Sequence, residues 1–243
     1  MANNKFITAQ EAAALVKDGD FVMVGGFLGH GTPDSIINAL AETDTKNLTV
    51  AANDTGFPDV KDLTMAVNDT GFPEGAEKHG YRGVSELIAR HKVKTLYVSH
   101  IGTNPETGRQ MSDGSMDVHL TPQGTLAEQI RAGGFGLGGI LTPTGIGTDV
   151  AKGKQVITVD GKDYLLETAL KGDICLIRGS IVDRLGNVYY KGTTHNFCPL
   201  MAAACKTVVV EAEHLVEPGE IEPEHVMTPF ILVDYIVDAG GAK

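Results

Sequence analysis

The spacing of apolar and polar residues predicts strands and helices that alternate through the first half of the chain. Short apolar runs at residues 21–24, 48–52 and 95–99 are typical of buried parallel strands. The first run continues into a glycine-rich loop at residues 25–31, and the spacing then predicts a helix over residues 34–42. A strand, a glycine loop and a helix in this order form the start of an α/β unit.

Capping signals mark where the predicted helices begin. Thr8 and Glu11 form a capping box ahead of an alanine-rich helix. Thr125 and Glu128 have the same spacing and predict a second helix that starts there. Thr32 is the expected N-cap of the helix that follows the glycine loop.

The second half of the chain carries hairpin signals. A turn at Asp160 and Gly161 joins two predicted strands, and a turn at residues 183–187 joins two more. Later predicted elements are a helix over residues 197–205 and strands over residues 207–210 and 231–237. Because no linker-like segment separates the halves, we expect a single α/β domain over residues 1–243, with an open, mixed, largely parallel sheet and flanking helices.

A tandem duplication interrupts the first half. Residues 46–59 are repeated at residues 61–74 with an offset of 15, and ten of the 14 positions are identical. Two copies are too few for a solenoid, which needs about three repeats to bury a continuous core. We therefore interpret residues 46–74 as a local duplication of one strand and its turn, in which Asn53 and Asn68 are equivalent.

Composition and net charge exclude several classes of function for this protein. Twenty Lys and Arg against 31 Asp and Glu give a net charge of −11, which argues against a nucleic-acid-binding surface. No signal-peptide pattern and no membrane-spanning run is found. The three cysteines form no CxxC pair and the eight histidines are scattered, so we expect a cytoplasmic protein without a metal site.

The glycine loop at residues 25–31 is the strongest chemical signal. Glycines let backbone N–H groups approach a ligand, and the helix start that follows adds partial positive charge, which suits a phosphate, a carboxylate or an oxyanion. A tight strand-to-helix turn without a ligand explains the same pattern equally well. A second glycine segment at residues 134–139 matches GxGxxG, but it follows a predicted helix, so it does not support a dinucleotide site.

Amide side chains recur in turns next to the predicted strands. Asn53, Asn68, Asn104 and Gln123 lie just after a predicted strand or just before a helix, where open α/β sheets bind ligands. Their amides can hydrogen-bond a carboxylate without adding charge, although ordinary turn capping is the competing explanation. The pair Glu211 and Glu213 is interpreted as a charged strand end.

One set of positions carries a family resemblance. The set is Asp18, Gly19, Val22, Met23, Val24, Gly25, Gly26, Phe27, Gly31, Thr32 and Pro33. It resembles the first signature of family I CoA-transferases. Blocks that resemble the α (A) subunits of this family follow in order at residues 99–109, 120–126, 130–134, 141–145 and 192–197. The resemblance extends over almost the whole chain.

The resemblance implies a ping-pong exchange of CoA between acetate or butyrate and acetoacetate. In the family, a glutamate in a Glu-Asn-Gly motif of the β (B) subunit attacks the thioester. No Glu-Asn-Gly occurs in this sequence. The resemblance therefore implies that this chain holds no catalytic nucleophile, is inactive alone and pairs with a β subunit as α2β2. CoA is then a carrier substrate, and no other cofactor is implied.

The resemblance also implies roles for particular residues. The loop that contacts CoA in the family corresponds to Gly25, Gly26, Phe27, Leu28, Gly29, His30 and Gly31. Gln123 matches a glutamine that faces the substrate carboxyl group. Asn104 and either Asn53 or Asn68 match asparagines that border the same pocket, and the duplication leaves the choice of copy open.

Two other functions are compatible with the residues. A CoA-binding or regulatory subunit that lost transferase activity through the duplication is one. A nucleotide-binding enzyme built on the glycine loop is the other, although the chain has neither a Rossmann context nor a P-loop.

Overall fold

The computed structural model describes residues 5–56 and 83–240 of the 243-residue chain. The helices in this part are α1 (Ala9–Leu15), α2 (Asp34–Ala41), α3 (Val84–Ala89), α4 (Pro105–Asp113), α5 (Gln123–Gly134) and α6 (Cys198–Ala204). The strands are β1 (Phe21–Val24), β2 (Leu48–Asp54), β3 (Val93–His100), β4 (Asp117–Leu120), β5 (Gly139–Thr142), β6 (Val156–Val159), β7 (Lys162–Thr168), β8 (Gly172–Asp183), β9 (Val188–Tyr189), β10 (Cys205–Val216) and β11 (Tyr235–Asp238). Asn68 and the second copy of the duplication lie outside the described residues.

The main sheet is open and mixed. Its strand order is β11-β10-β8-β1-β2-β3-β4, with β9 paired to β8. Neighbours along this order run parallel, and among the described strands of this sheet only β9 is antiparallel to its partner. The predicted fold class, an open, mixed, largely parallel sheet with flanking helices, is confirmed. A second, antiparallel sheet of order β5-β7-β6 contains the predicted hairpin at Asp160 and Gly161.

Aliphatic side chains cover both faces of the main sheet. Successive residues of a strand point to opposite faces, so Val22 and Val24 of β1 join one hydrophobic cluster and Met23 joins the other. The first cluster includes Ile36 of α2, and the second includes Met201 of α6. Within the described ranges, no helix is both long enough and apolar enough to cross a membrane.

The helix starts were predicted with mixed success. The capping box of Thr8 is present at the start of α1. At α2, however, the N-cap residue is Pro33, whose side chain makes no capping hydrogen bond. The prediction that Thr32 is the N-cap of this helix is therefore wrong. The predicted capping box of Thr125 and Glu128 is also wrong, because α5 begins two residues before Thr125, at Gln123. The backbone turns directly after Pro122, and Thr125 is buried in the first turn.

Candidate active site

The candidate site lies at one edge of the main sheet. Strands β1, β2, β3, β8 and β10 are parallel, so their carboxyl ends meet at that edge. The glycine loop follows β1, and Asn53 and Asp54 end β2. Gln123 begins α5 close to the same edge and donates a hydrogen bond to Asn53. The fold therefore brings the glycine loop and two of the predicted amides to one place.

The glycine loop is a tight hairpin. The N–H of Phe27 donates to the carbonyl oxygen of His30, and the N–H of His30 donates to that of Phe27, each at 2.9 Å. Leu28 and Gly29 form the two-residue turn between them, with φ of 48° and 79°. Positive φ at both central positions is the pattern of a type I′ turn. Leu28 adopts it although its side chain disfavours this region of backbone space.

Side chains from elsewhere hold the hairpin by its backbone. The Gly26 N–H donates to Oδ1 of Asn196 at 3.3 Å, and the Leu28 N–H donates to Oδ2 of Asp54 at 2.9 Å. No hydrogen bond within the described part of the chain uses the N–H of Gly29 or Gly31. Gly31 is buried against Thr194, whereas Gly29 is half-buried and open on its outer side, so the Gly29 amide is the loop donor that a ligand can reach.

Close packing beneath the loop explains why Gly25 is a glycine. A Cβ atom at this position would lie 2.6 Å from Sγ of Cys198, the first residue of α6. Burial raises the pKa of the Cys198 thiol to about 12, so the thiol stays protonated at neutral pH. Cys198 is a packing residue under the loop rather than a nucleophile.

The amino end of α2 is already occupied by a carboxylate of the same chain. Oε2 of Glu211 accepts hydrogen bonds from the Ser35 N–H at 2.9 Å, the Ser35 hydroxyl at 2.5 Å and the Ile36 N–H at 3.2 Å. Asp34 adds a second carboxylate in the first turn. The expectation that this helix start offers its partial positive charge to a ligand is therefore wrong.

Glu211 also corrects the interpretation of the acidic pair. Strand β10 continues to Val216, so Glu211 lies inside the strand and is only 1% exposed. Burial raises the pKa of its carboxyl group, while the hydrogen bonds from Ser35 and Ile36 and the nearby Arg178 guanidinium oppose that shift. An acidic residue within the apolar run of β10 was the signal that sequence analysis missed.

Asn53 and Gln123 form an amide pair next to the loop. Nε2 of Gln123 donates to Oδ1 of Asn53 at 3.0 Å. The Ser99 hydroxyl donates to the backbone carbonyl oxygen of Asn53 at 2.6 Å and lies 3.1 Å from the same Oδ1. Within the described residues, Nδ2 of Asn53 makes no hydrogen bond to another side chain or carbonyl. Amide N–H groups at such a position suit an incoming carboxylate.

Asn104 serves the fold at the neighbouring position. Its Oδ1 accepts the N–H groups of Glu106 and Thr107 at the start of α4, and its Nδ2 donates to the carbonyl oxygen of Thr55 at 3.1 Å. Asn104 is 1% exposed. The structure therefore places Asn104 beside the amide pair but uses its own amide for capping and for holding the end of β2.

Comparisons with known proteins agree with this architecture. The family model described as Coenzyme A transferase matches residues 6–239. The chain is 46% identical over 235 residues to the acetoacetyl-CoA:acetate/butyrate CoA transferase alpha subunit of Clostridium acetobutylicum, covering 97% of this chain and 98% of that protein. It is 47% identical over 239 residues to the acetate CoA-transferase subunit alpha of Escherichia coli K12, covering 98% and 99%.

Solved structures show the same fold at lower identity. The acyl-CoA transferase apoenzyme of Escherichia coli O157:H7 superposes with a TM-score of 0.77 at 24% identity, covering 97% of this chain and 47% of that longer chain. With the family model and both relatives extending over nearly the whole chain, the protein belongs to the coenzyme A transferase family. It is a CoA-transferase chain.

Proposed function

We propose that this chain is the α subunit of a short-chain CoA-transferase that exchanges CoA between acetate or butyrate and acetoacetate. The observation that carries the proposal is the amide pair of Asn53 and Gln123 beside the glycine loop. The names of the two relatives, which mention acetoacetyl-CoA, acetate and butyrate, support this choice of substrates. A regulatory subunit without transferase activity is not favoured, because both named transferase subunits match nearly the whole chain.

In this proposal the nucleophile comes from the partner. Its glutamate carboxylate attacks the thioester carbonyl, the C–S bond breaks, and CoA leaves as a thiolate. The thiolate attacks the glutamyl carbonyl of the resulting anhydride and releases the first carboxylate, leaving a glutamyl-CoA thioester. The acceptor carboxylate displaces CoA from this thioester, and the thiolate then attacks the acyl carbonyl of the new anhydride. This last step forms the product thioester and frees the glutamate.

The two buried carboxylates at this edge support such a division of labour. Asp54 accepts the N–H groups of Leu28 and Gly56, and Glu211 accepts those of Ser35 and Ile36. A carboxylate that already accepts backbone hydrogen bonds is a poor nucleophile, because attack requires it to give up those bonds. This chain instead supplies neutral donors: the amide pair for the acceptor carboxylate, and the Gly29 N–H group for CoA or an oxyanion.

The proposal includes the assembly. The chain pairs with a β subunit that carries a Glu-Asn-Gly motif, as an α2β2 complex in the cytoplasm. It needs no metal or redox cofactor, because the reaction exchanges one thioester for another without electron transfer.

A CoA-exchange assay with acetoacetyl-CoA and acetate tests the proposal. We expect no exchange by the chain alone, and exchange when it is co-expressed with its β subunit. Substitution of glutamine for the glutamate of the partner's Glu-Asn-Gly motif should abolish exchange. Exchange by the isolated chain, or an inactive but stable complex of the two wild-type subunits, would contradict the proposal.

A charge placed in the amide pair tests the role of this chain. Gln123→Glu adds a carboxylate next to the proposed acceptor site, so the KM for acetate should rise about tenfold or more through like-charge repulsion. Gln155→Glu adds the same charge at an exposed position outside the site and is the matched control. An unchanged KM for acetate in Gln123→Glu would remove the amide pair from substrate binding.

A further inference from the structure

Three consecutive residues at the end of β2 connect three parts of the candidate site. Asn53 accepts from Gln123, Asp54 accepts from Leu28 at the tip of the glycine loop, and the Thr55 carbonyl accepts from Asn104. The sequence motifs pointed to Asn53 and not to its neighbour. Asp54 is the residue that joins the strand to the loop.

The contacts of Asp54 leave little freedom for its side chain. Oδ2 accepts the Leu28 N–H at 2.9 Å, and Oδ1 accepts the Gly56 N–H at 2.8 Å. The residue is 7% exposed. Burial raises the pKa of the Asp54 carboxyl group, while the hydrogen bonds from the Leu28 and Gly56 N–H groups oppose that shift. A carboxylate that accepts two backbone amides fixes the distance between the loop and the strand end.

The loop tip needs such a contact. Leu28 has a positive φ, which costs a non-glycine residue on the order of 1 kcal/mol or more, so this conformation persists only where the surroundings determine it. The only hydrogen bond from the Leu28 N–H within the described chain goes to Asp54. The amide of Gly29, which is the next in the chain, is the loop donor left for a ligand.

We infer that Asp54 is a positioning residue: it holds the Leu28–Gly29 tip so that the Gly29 N–H faces the bound CoA thioester. The inference rests on the proposed function, because it uses CoA binding at the loop. Successive residues of a strand point to opposite sides, so Asn53 serves the carboxylate end of the site while Asp54 serves the thioester end. The end of β2 therefore sets the spacing between the two substrate-binding parts of this chain.

Asparagine cannot replace this carboxylate, although it has nearly the same shape. Asp54 accepts two N–H groups with two oxygens. The amide side chain introduced by Asp54→Asn has one oxygen and one NH2 group, so one of the two backbone N–H groups would face another donor. The substitution therefore removes a hydrogen bond to the loop or to Gly56 without opening a cavity.

Kinetics of the co-expressed complex test the inference. In a ping-pong reaction, kcat/KM for acetoacetyl-CoA and kcat/KM for acetate report separate half-reactions. Only the first includes capture of acetoacetyl-CoA from solution, because acetate reacts with CoA that is already attached to the partner's glutamate. Since a displaced loop weakens that capture, we expect Asp54→Asn to lower the first value about tenfold, equivalent to about 1.4 kcal/mol, and to leave the second within about twofold. Asp44→Asn is the matched control, because Asp44 is exposed in the turn before β2, at the opposite end of the strand. The control should change neither value.

Amide hydrogen exchange supplies a readout that does not depend on turnover. In the wild-type complex, the Leu28 N–H should exchange more slowly than the Gly29 N–H, because only the former is donated within the described chain. Peptides that contain residues 25–31 should exchange faster in Asp54→Asn. The wild-type comparison remains decisive if the variant does not assemble.

The outcomes separate the inference from the proposed function. If the wild-type complex exchanges CoA but Asp54→Asn lowers both half-reactions equally, or neither, the positioning role is overturned and the proposed function stands. Equal exchange rates for the Leu28 and Gly29 amides would overturn it as well. If the wild-type complex is inactive, the proposed function fails, and slow exchange at Leu28 would show only that Asp54 holds the loop.

Discussion

A methyl group added at Gly25 is expected to collide with one identifiable atom. Its Cβ would lie 2.6 Å from Sγ of Cys198, whereas the next atoms, both of Ile177, lie at 3.4 and 3.5 Å. The last two distances are ordinary contacts. The φ of Gly25 is not positive, so alanine fits the backbone there. The cost of Gly25→Ala should therefore come from the Cys198 sulfur alone.

The expected energies follow from that geometry. Overpacking a buried site costs about 1–3 kcal/mol, and the lower chain entropy of alanine in the unfolded state offsets about 0.4–1 kcal/mol of this. Cys198→Ala removes one buried atom and should cost about 1 kcal/mol. In the double variant the new methyl group occupies the space of the missing sulfur. Its loss of stability should therefore be about 1–2 kcal/mol smaller than the sum of the single losses.

Urea unfolding of the wild type, both single variants and the double variant measures this coupling. Gly108→Ala is the matched control, because Gly108 lies in α4 and a Cβ there would meet no atom of the described residues within 4 Å. This substitution should stabilise the helix by up to about 1 kcal/mol and add independently to Cys198→Ala. Strict additivity of Gly25→Ala with Cys198→Ala would refute the reasoning, since it would mean that the sulfur is not the obstacle.

Three further substitutions test contacts away from the site. Thr8→Ala should cost about 1 kcal/mol in urea unfolding, because it removes the capping box of α1, and should leave CoA exchange unchanged. Lys154→Met should lower the free energy of unfolding by about 3 kcal/mol in the same assay, because the buried Glu167 would lose its 2.6 Å ion pair with Lys154. A loss below about 0.5 kcal/mol, roughly that of an exposed ion pair, would contradict this reasoning. The Arg109 hydrogen bonds lower the pKa of Glu106 from 4.5 to about 2, so the stability from this group is complete above pH 4.5 and is lost as the pH falls towards 2. As the pH is lowered across that range, the urea midpoint of unfolding should accordingly fall less steeply for Glu106→Gln than for the wild type. Parallel curves of midpoint against pH would show that the Glu106 carboxylate does not contribute to stability.

The regular elements of the fold were predictable because their signals are local. The apolar runs of β1 and β2, the turn at Asp160 and Gly161, and the capping box at Thr8 each depend on neighbours in sequence. The predicted capping box at Thr125 was wrong because the start of that helix depends on a contact with a residue that is distant in the sequence. A helix can begin earlier when the preceding backbone is already held by the sheet, and the Thr121 N–H donates to Val98 of β3.

The candidate site was only partly predictable. The glycine loop and the amides of Asn53 and Gln123 stood out because glycines and turn amides are recognisable in a sequence. Glu211 did not, because its partners, Ser35 and Ile36, lie some 175 positions away in the chain. Long-range contacts of a buried acid are set by the strand order, and a single sequence does not reveal that order. The same reason explains why Asp54 escaped notice beside Asn53.

The carboxylate of Glu211 at the amino end of α2 has a consequence for how binding responds to salt. With that helix end neutralised, this chain offers uncharged N–H donors at the loop and the amide pair, while the chain as a whole carries a net charge of −11. In the proposed function, long-range repulsion of the anionic CoA therefore comes from the net charge of the chain, and short-range attraction comes from uncharged donors, whose contacts salt screens little. Added salt should weaken the repulsion more than the attraction, so the contribution of this subunit to CoA capture should grow with ionic strength. Sites built on lysine and arginine show the opposite response.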